Sequence, residues 1–502
     1  MNELGLDRLT LTVAALAVGA AVLIALIASK KDPLRHIPLA GTGSRRARVK
    51  QYHHDAKRIY EEACKQFKSL FRVATPEGDY VLVPYDLLDE YNSVPESVFS
   101  PHAPFDQFVE KYLTDINITS RALIFSVRQD LTPSLGKITP ALSSVAENAV
   151  ISQLPPCDEW TEVDLHHALI SQVTIVSGWV FVGPEYCHTK EYKDLAAAYA
   201  ADAFGGPKML QAFPSWLRPL AAPFLPPLRR VKRFHQRILD LLGPGIERRR
   251  KQIAENEARS ADMLDWLIKN AHRFPHDISS DYDIARVQQS LSAVAIHTTA
   301  LTAVATLYDL SCEPKIMEDV RSEIGEVLQR NGGQMTSRAL YEMKLLDAVC
   351  KESQRLNPAD LLSARRKVMK PYTFSDGVEV PVGAMLAVPV YTYARDPAQF
   401  PQPDTFDPYR FTRLRENGSN DHLQFASVTN GTMAFGCGKH ACPGRFFAAL
   451  EIKLLVIHLL QAFDFKAIPE ADGVVRRYRN MEYDSMNMPD VTKKLLFKKR
   501  VS

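Results

Sequence analysis

The sequence lacks an excess of charge of either sign. Against 61 Lys and Arg stand 58 Asp and Glu, so the net charge over 502 residues is only +3. That balance leaves no basic footprint for a nucleic-acid backbone. Cysteine is scarce and unpaired. Cys64, Cys157, Cys187, Cys312, Cys350, Cys437 and Cys442 are scattered and odd in number. This fits a reducing compartment better than a disulfide framework. No second Cys or His pair stands at zinc spacing from Cys437 and Cys442, which argues against a zinc site. One stretch lacks charge altogether, from Leu9 to Ser29, and it is long enough to span a bilayer. Lys30, Lys31, Arg35, Arg45, Arg46, Arg48 and Lys50 follow it, while Glu3 and Asp7 offset Arg8. The positive-inside rule places the bulk of the chain in the cytosol. The apolar run is too long, and its preceding region too little basic, for a cleaved signal peptide. An uncleaved anchor over residues 1–30 is expected, then a stiff hinge over 31–50 with Pro33 and Pro38, then a catalytic unit over 51–502.

What is present is ordinary for a globular enzyme, with 46% apolar and 24% charged residues, apart from one stretch. It reads Phe435-Gly436-Cys437-Gly438-Lys439-His440-Ala441-Cys442-Pro443-Gly444-Arg445. Beyond it, Phe447, Leu450, Leu454, Ile457 and Leu459 recur at helical spacing. Cys442 is therefore expected in a tight loop just ahead of a helix N-terminus. There the free N–H groups and the helix dipole favour a negative sulfur, and a thiolate ligates soft transition metals. Gly438 and Gly444 lack side chains, so the backbone can approach a flat ligand.

The pattern Phe-x-x-Gly-x-His-x-Cys-x-Gly resembles the haem-binding loop of the cytochrome P450 family, with His440 where many members have Arg. The resemblance covers roughly Arg35 to the C-terminus and rests on further motifs in order. Arg286 to Leu310 reads as one long apolar helix centred on Val294-Ala295-Ile296-His297-Thr298-Thr299. It is similar to the family's oxygen-activation helix, with Ala295 for the usual Gly, His297 for the usual acid and Thr298 for the key hydroxyl. Mid-helix threonines compete for backbone carbonyls and can bend a helix. Glu352-Ser353-Gln354-Arg355 places a Glu–Arg pair on one helical face, and Phe406-Asp407-Pro408-Tyr409-Arg410-Phe411 follows. The resemblance implies a structural triad of Glu352, Arg355 and Arg410. Glu247/Arg250 and Glu318/Arg321 share the spacing and read as helix surface.

The resemblance further implies a mainly α fold with small β-sheets, the cytochrome P450 fold, preceded by one transmembrane helix. It implies haem b held by Cys442 on the iron, with Phe435, Gly436, His440 and Gly444 around it. Arg128, and either Arg365 or Arg366, fall where basic residues contact haem propionates; a solvated surface role is the other reading of Arg128. Thr298, with Thr299 beside it, is expected to serve oxygen activation. His297 is expected either to relay protons or to pack against another helix. Electrons are expected singly from NADPH–cytochrome P450 reductase, with cytochrome b5 as a second donor, at a face near Lys439 and Arg445.

The Ala-Ile-His-Thr-Thr string looks like that of fungal members acting on terpenoid, indole-terpenoid and polyketide skeletons. The expected function is hydroxylation or other oxidation of a lipophilic natural product at the endoplasmic reticulum membrane. Two other functions stand beside it: a family member that desaturates or rearranges, and a haem-binding sensor or carrier without turnover, against which the threonine pair argues. Locally, residues 71–84 read as a hairpin turned near Pro76-Glu77-Gly78, and residues 372–389 as short strands turned at Asp376-Gly377 and Val382-Gly383. Six prolines between Pro207 and Pro227 preclude a continuous helix there. The apolar loop they form reads either as core or, by the resemblance, as a membrane-dipping segment beside the substrate entrance. The basic runs 229–233 and 248–251 read as solvated helix faces.

Overall fold

The computed structural model describes residues 32–255, 257, 261–416 and 421–500. The Leu9 to Ser29 anchor lies outside them. Helices dominate, and among the described residues four small sheets stand between them. The 71–84 segment folds as expected: strands Phe71–Thr75 and Gly78–Leu82 pair antiparallel, with Thr75 opposite Gly78. Met385–Val388 adds parallel to the second strand, and Ser363–Val368 pairs antiparallel with it. Phe99–Ser100 closes the edge of this five-stranded sheet. The turns at Gly377 and Gly383 take φ of +84° and +89°, a region that favours glycine.

A break in register within Ser363–Val368 decides where two adjacent arginines go. The ladder slips between Ser363 and Arg366, and Ala364 takes φ of +51°. This is a β-bulge, one extra residue that re-aims its neighbours. Successive residues on a strand point to opposite faces. Arg365 accordingly pairs with Asp360 at 2.8 Å and donates to Ser485 Oγ at 3.2 Å. Arg366 turns the other way, toward Tyr91, Cys437 and His440.

The apolar reading of the central helix falls short at its start. The helix runs Asp281–Leu310, because Ser280 and Asp283 form a capping box ahead of Arg286. It is the one helix among the described residues long and apolar enough to cross a membrane, yet most of it is buried inside the protein. It packs against Leu165–Phe181, Lys190–Gln211, Pro226–Ala254 and Arg445–Ala462. Its buried residues, with those of its neighbours, build the largest apolar core.

The prolines act as expected. Helix Lys190–Gln211 runs through Pro207, gives way to the short Arg218–Ala221 turn, and Pro226 and Pro227 open the next helix. Trp216, Leu220 and Phe224 on this connection stay exposed, as does Tyr112 on the 111–114 turn. One basic residue departs from the solvated reading. Arg249 is only 4% exposed, ion-paired with Asp262 and donating to the Val182 carbonyl at 3.2 Å. Helical periodicity turns it inward while Arg248, Arg250 and Lys251 stay on the surface.

Candidate active site

Cys442 lies ahead of helix Arg445–Ala462, whose N-cap is Gly444. Gly436 turns the chain at φ +83°, and the Cys442 N–H donates to the Phe435 carbonyl at 2.7 Å. The Phe435 ring packs 6.0 Å from that of Phe425. Gly438, at φ +57°, sits so close to Asn92 that a Cβ would come within 3.2 Å of it. Cys437 points into the core and donates to Asn92 Oδ1 at 2.8 Å. The Cys442 side chain is accessible instead. Surrounding protein raises its thiol pKa, while the Gly444 and Arg445 N–H groups and the Arg445 and Arg128 charges pull the other way. A metal that displaces the proton would join these donors in holding the thiolate.

The central helix shows the matching feature. Thr298 is exposed although the helix is largely core, and Val294, Ala295, Leu301 and Thr302 are only half-buried. These positions form one helical stripe, left accessible along an otherwise buried helix. The Thr298 hydroxyl donates back to the Val294 carbonyl at 2.7 Å, and Thr302 does the same to Thr298 at 2.9 Å. Thr299 is buried in the core. His297 lies off the stripe, and its Nε2–H donates to the Ala197 carbonyl of helix Lys190–Gln211 at 3.3 Å. Burial lowers its pKa, against the pull of that carbonyl.

Three basic groups gather about the cysteine loop. Arg128 sits in a π-helical turn, Val127–Leu131, and donates to the Lys439 carbonyl at 3.0 Å; such turns are frequent at functional sites. Arg366 is nearly buried and has no carboxylate partner among the described residues, its hydrogen bond going to the Arg365 carbonyl at 3.1 Å. His440 Nε2 is buried without a hydrogen-bond partner among the described residues. Burial and the Arg366 charge press the His440 pKa down to about 4, with Glu96 opposing. A buried guanidinium and an orphaned ring nitrogen are costly unless something accepts from them. A Cβ on Gly444 would meet nothing within 4 Å. An accessible sulfur with N–H donors, and cationic or donating groups wanting anions, fit an iron porphyrin with its two carboxylates.

Beneath the loop, Glu352 is fully buried between two arginines. Arg355 Nε and Nη2 donate to its two oxygens at 2.8 Å each, and Arg410 Nε donates to Oε1 at 3.0 Å. The Asp407 N–H adds a fourth bond at 3.1 Å. The other guanidinium nitrogens take the Ala394, Pro403, Pro401, Gln402 and Thr405 carbonyls. Glu318–Arg321 is a partly exposed pair, and Glu247 instead meets Lys251 on the surface. Asn92 and Glu96 were not legible as part of this region. Glu96 lies in a loop without periodicity, far from Cys442 in sequence.

The Cytochrome P450 family profile matches residues 121–492. The cytochrome P450 monooxygenase braC of Annulohypoxylon truncatum is 33% identical over 473 residues, covering 92% of each chain. The ent-kaurene oxidase of Gibberella intermedia is 33% identical over 458 residues, 88% of this chain and 83% of its own. The solved structure of the retinoic acid-bound cyanobacterial CYP120A1 superposes with a TM-score of 0.69 at 20% identity, covering 92% of this chain and 99% of that one. That likeness shows the fold, and the matches in sequence show the rest: the chain is a monooxygenase of the cytochrome P450 family.

Proposed function

We propose that this enzyme oxidises a lipophilic natural-product skeleton, terpenoid or indole-terpenoid ahead of polyketide, in fungal secondary metabolism. The observation that carries the reading is the accessible stripe of the central helix, where Thr298 stands among the apolar Val294, Ala295 and Leu301. The ent-kaurene oxidase relative points the same way. Expression in a host cell beside the genomic neighbours, with the products compared against a host lacking the gene, tests it. Unchanged products across terpenoid-producing hosts would refute the terpenoid assignment.

Cys442 is assigned as the axial thiolate, and Arg128, Arg366 and His440 as the groups that hold the haem carboxylates. Arg365 is left to Asp360. When bound, the haem activates oxygen with two electrons delivered singly from NADPH through a reductase, with cytochrome b5 as a second donor. The protein ligates, orients and controls protons. Lys439 and Arg445, beside the cysteine loop, are assigned to the reductase-facing surface.

Thr298 is the group assigned to hold and pass protons, since a hydroxyl accepts and donates at once. It must exchange its bond to Val294 for a water to do so. Thr298→Ala should keep consuming oxygen while product falls by ~10²-fold, the usual worth of a positioned proton donor. Hydrogen peroxide should account for the difference. An oxygen electrode with peroxide and product assays checks this, and unchanged coupling counts against the role. His297 is assigned to hold helix Lys190–Gln211 rather than to relay, so His297→Ala should remain fully coupled.

The enzyme is assigned to the endoplasmic reticulum membrane, its catalytic part cytosolic, with residues 1–30 as anchor and 31–50 as hinge. The exposed Trp216, Leu220, Phe224 and Tyr112 suit contact with that membrane. Three sequons bear on topology. Asn117 is buried and donates to Asp277 Oδ1 at 2.8 Å, which blocks a glycan in any compartment. Asn430 donates to Asp89 Oδ1 at 3.1 Å nearer the surface, and Asn417 lies outside the described residues. Neither Asn430 nor Asn417 should carry glycan in native protein. An endoglycosidase-sensitive mass shift would reverse the topology.

A further inference from the structure

We infer that Glu96 is a positioning residue for the haem pocket: it fixes the His440 imidazole so that the buried Nε2 faces the haem. The inference rests on the reading of His440 as a haem-holding residue. Glu96 belongs to the loop between Leu88–Ser93 and Phe99–Ser100. Its Oε1 lies 3.4 Å from His440 Nδ1, and its Oε2 lies 3.9 Å from His102 Nε2. His440 has no other ion partner among the described residues, and its side chain is 11% exposed. The carboxylate thus stands between the two histidines, the nearer contact being to His440.

The ring has two orientations related by a flip about χ2, a broad and roughly two-fold torsion. In the observed one, Nδ1 faces the carboxylate and Nε2 faces inward, where it is orphaned. The flipped ring would set a C–H against Glu96 and another C–H in place of the inward nitrogen. Glu96 selects between the two, because the partner at one ring nitrogen decides what the other does. In the holoenzyme Nδ1 then faces the Glu96 carboxylate and Nε2 faces the haem. Outer partners of this kind typically alter affinity by about 10–100-fold when removed.

The test is haem loss from the intact holoenzyme, followed by transfer to excess apomyoglobin, together with the ferric–ferrous midpoint potential. His440→Ala comes first and should speed haem transfer; if it does not, the haem-holding reading of His440 fails, and the inference with it. Given that acceleration, Glu96→Ala should speed transfer about 10-fold and move the potential in the direction His440→Ala moves it. Glu96→Gln, which keeps an oxygen facing Nδ1, should recover part of the loss. Glu96→Ala added to His440→Ala should change nothing further. Wild-type transfer in Glu96→Ala overturns the positioning role while leaving His440 in place. An equal acceleration by Glu96→Ala with and without His440 also overturns it, since loop packing alone would then explain the effect.

Discussion

Replacing Cys442 by alanine should abolish the red-shifted Soret band of the reduced, carbon monoxide-bound enzyme and, with it, all oxygen insertion. The band reports a thiolate on the iron, and such a ligand pushes electron density toward O–O cleavage. Two cysteines share the loop, five positions apart, so the assignment is a choice between them. Cys437 is buried in the core and donates its S–H to Asn92, and burial raises its pKa. It has no open side from which a metal could approach. Cys442 is accessible, and the Gly444 and Arg445 N–H groups are turned to its sulfur. Cys437→Ala should therefore keep the band and bind haem. If Cys442→Ala retained the band while Cys437→Ala lost it, the ligand assignment would be reversed. A histidine or water ligand in Cys442→Ala would give an unshifted carbon monoxide spectrum, which separates loss of the thiolate from loss of haem.

Glu352→Ala should yield aggregated or haem-free protein rather than a slow enzyme. Glu352 is the shared ion partner of two guanidinium groups that are themselves almost wholly buried. Removing one partner of a buried ion network leaves the others uncompensated, at about 3–5 kcal/mol. Domains hold only about 5–15 kcal/mol in all. The damage also spreads, because Arg355 and Arg410 tie down carbonyls from Ala394 to Thr405. That segment leads into the Arg410–Glu416 helix and onward to the cysteine loop. Arg355→Ala and Arg410→Ala should fail in the same way, and double substitutions should cost less than the sum of singles. Soluble expression, haem content and urea unfolding measure this. A well-folded, haem-loaded Glu352→Ala enzyme with reduced turnover would mean the carboxylate acts in chemistry instead.

What the chain discloses by itself follows the range of the interactions. The cysteine loop and its helix are local: glycines, spacing and periodicity all lie within a few turns of Cys442. The Glu352–Arg355 pair is likewise one helical turn, and only its meeting with Arg410 needs the resemblance. The start of the central helix was there to be read in Ser280-x-x-Asp283, but the apolar pattern drew the boundary to Arg286. Long-range pairings were not legible. Nothing near His440 points to Glu96, and nothing near Asn117 shows that Asp277 will bury it. Arg249 looks like its basic neighbours until Asp262 is folded against it. The aim of His297 depends on how close another helix backbone comes, a distance that no periodicity encodes.

The bulge at Ala364 has a consequence for how this enzyme can change over generations. On an unbroken strand, alternation locks both ends together: the face that Arg366 takes fixes the face that Ser363 takes. The extra residue cuts that lock. Residues before Ala364 keep one phase and residues after it another, so substitutions at 361–363 leave the aim of Arg366 untouched. Loss of a single codon at 364 would restore the lock and exchange the faces on one side of it. Deletions within this strand should therefore be purged.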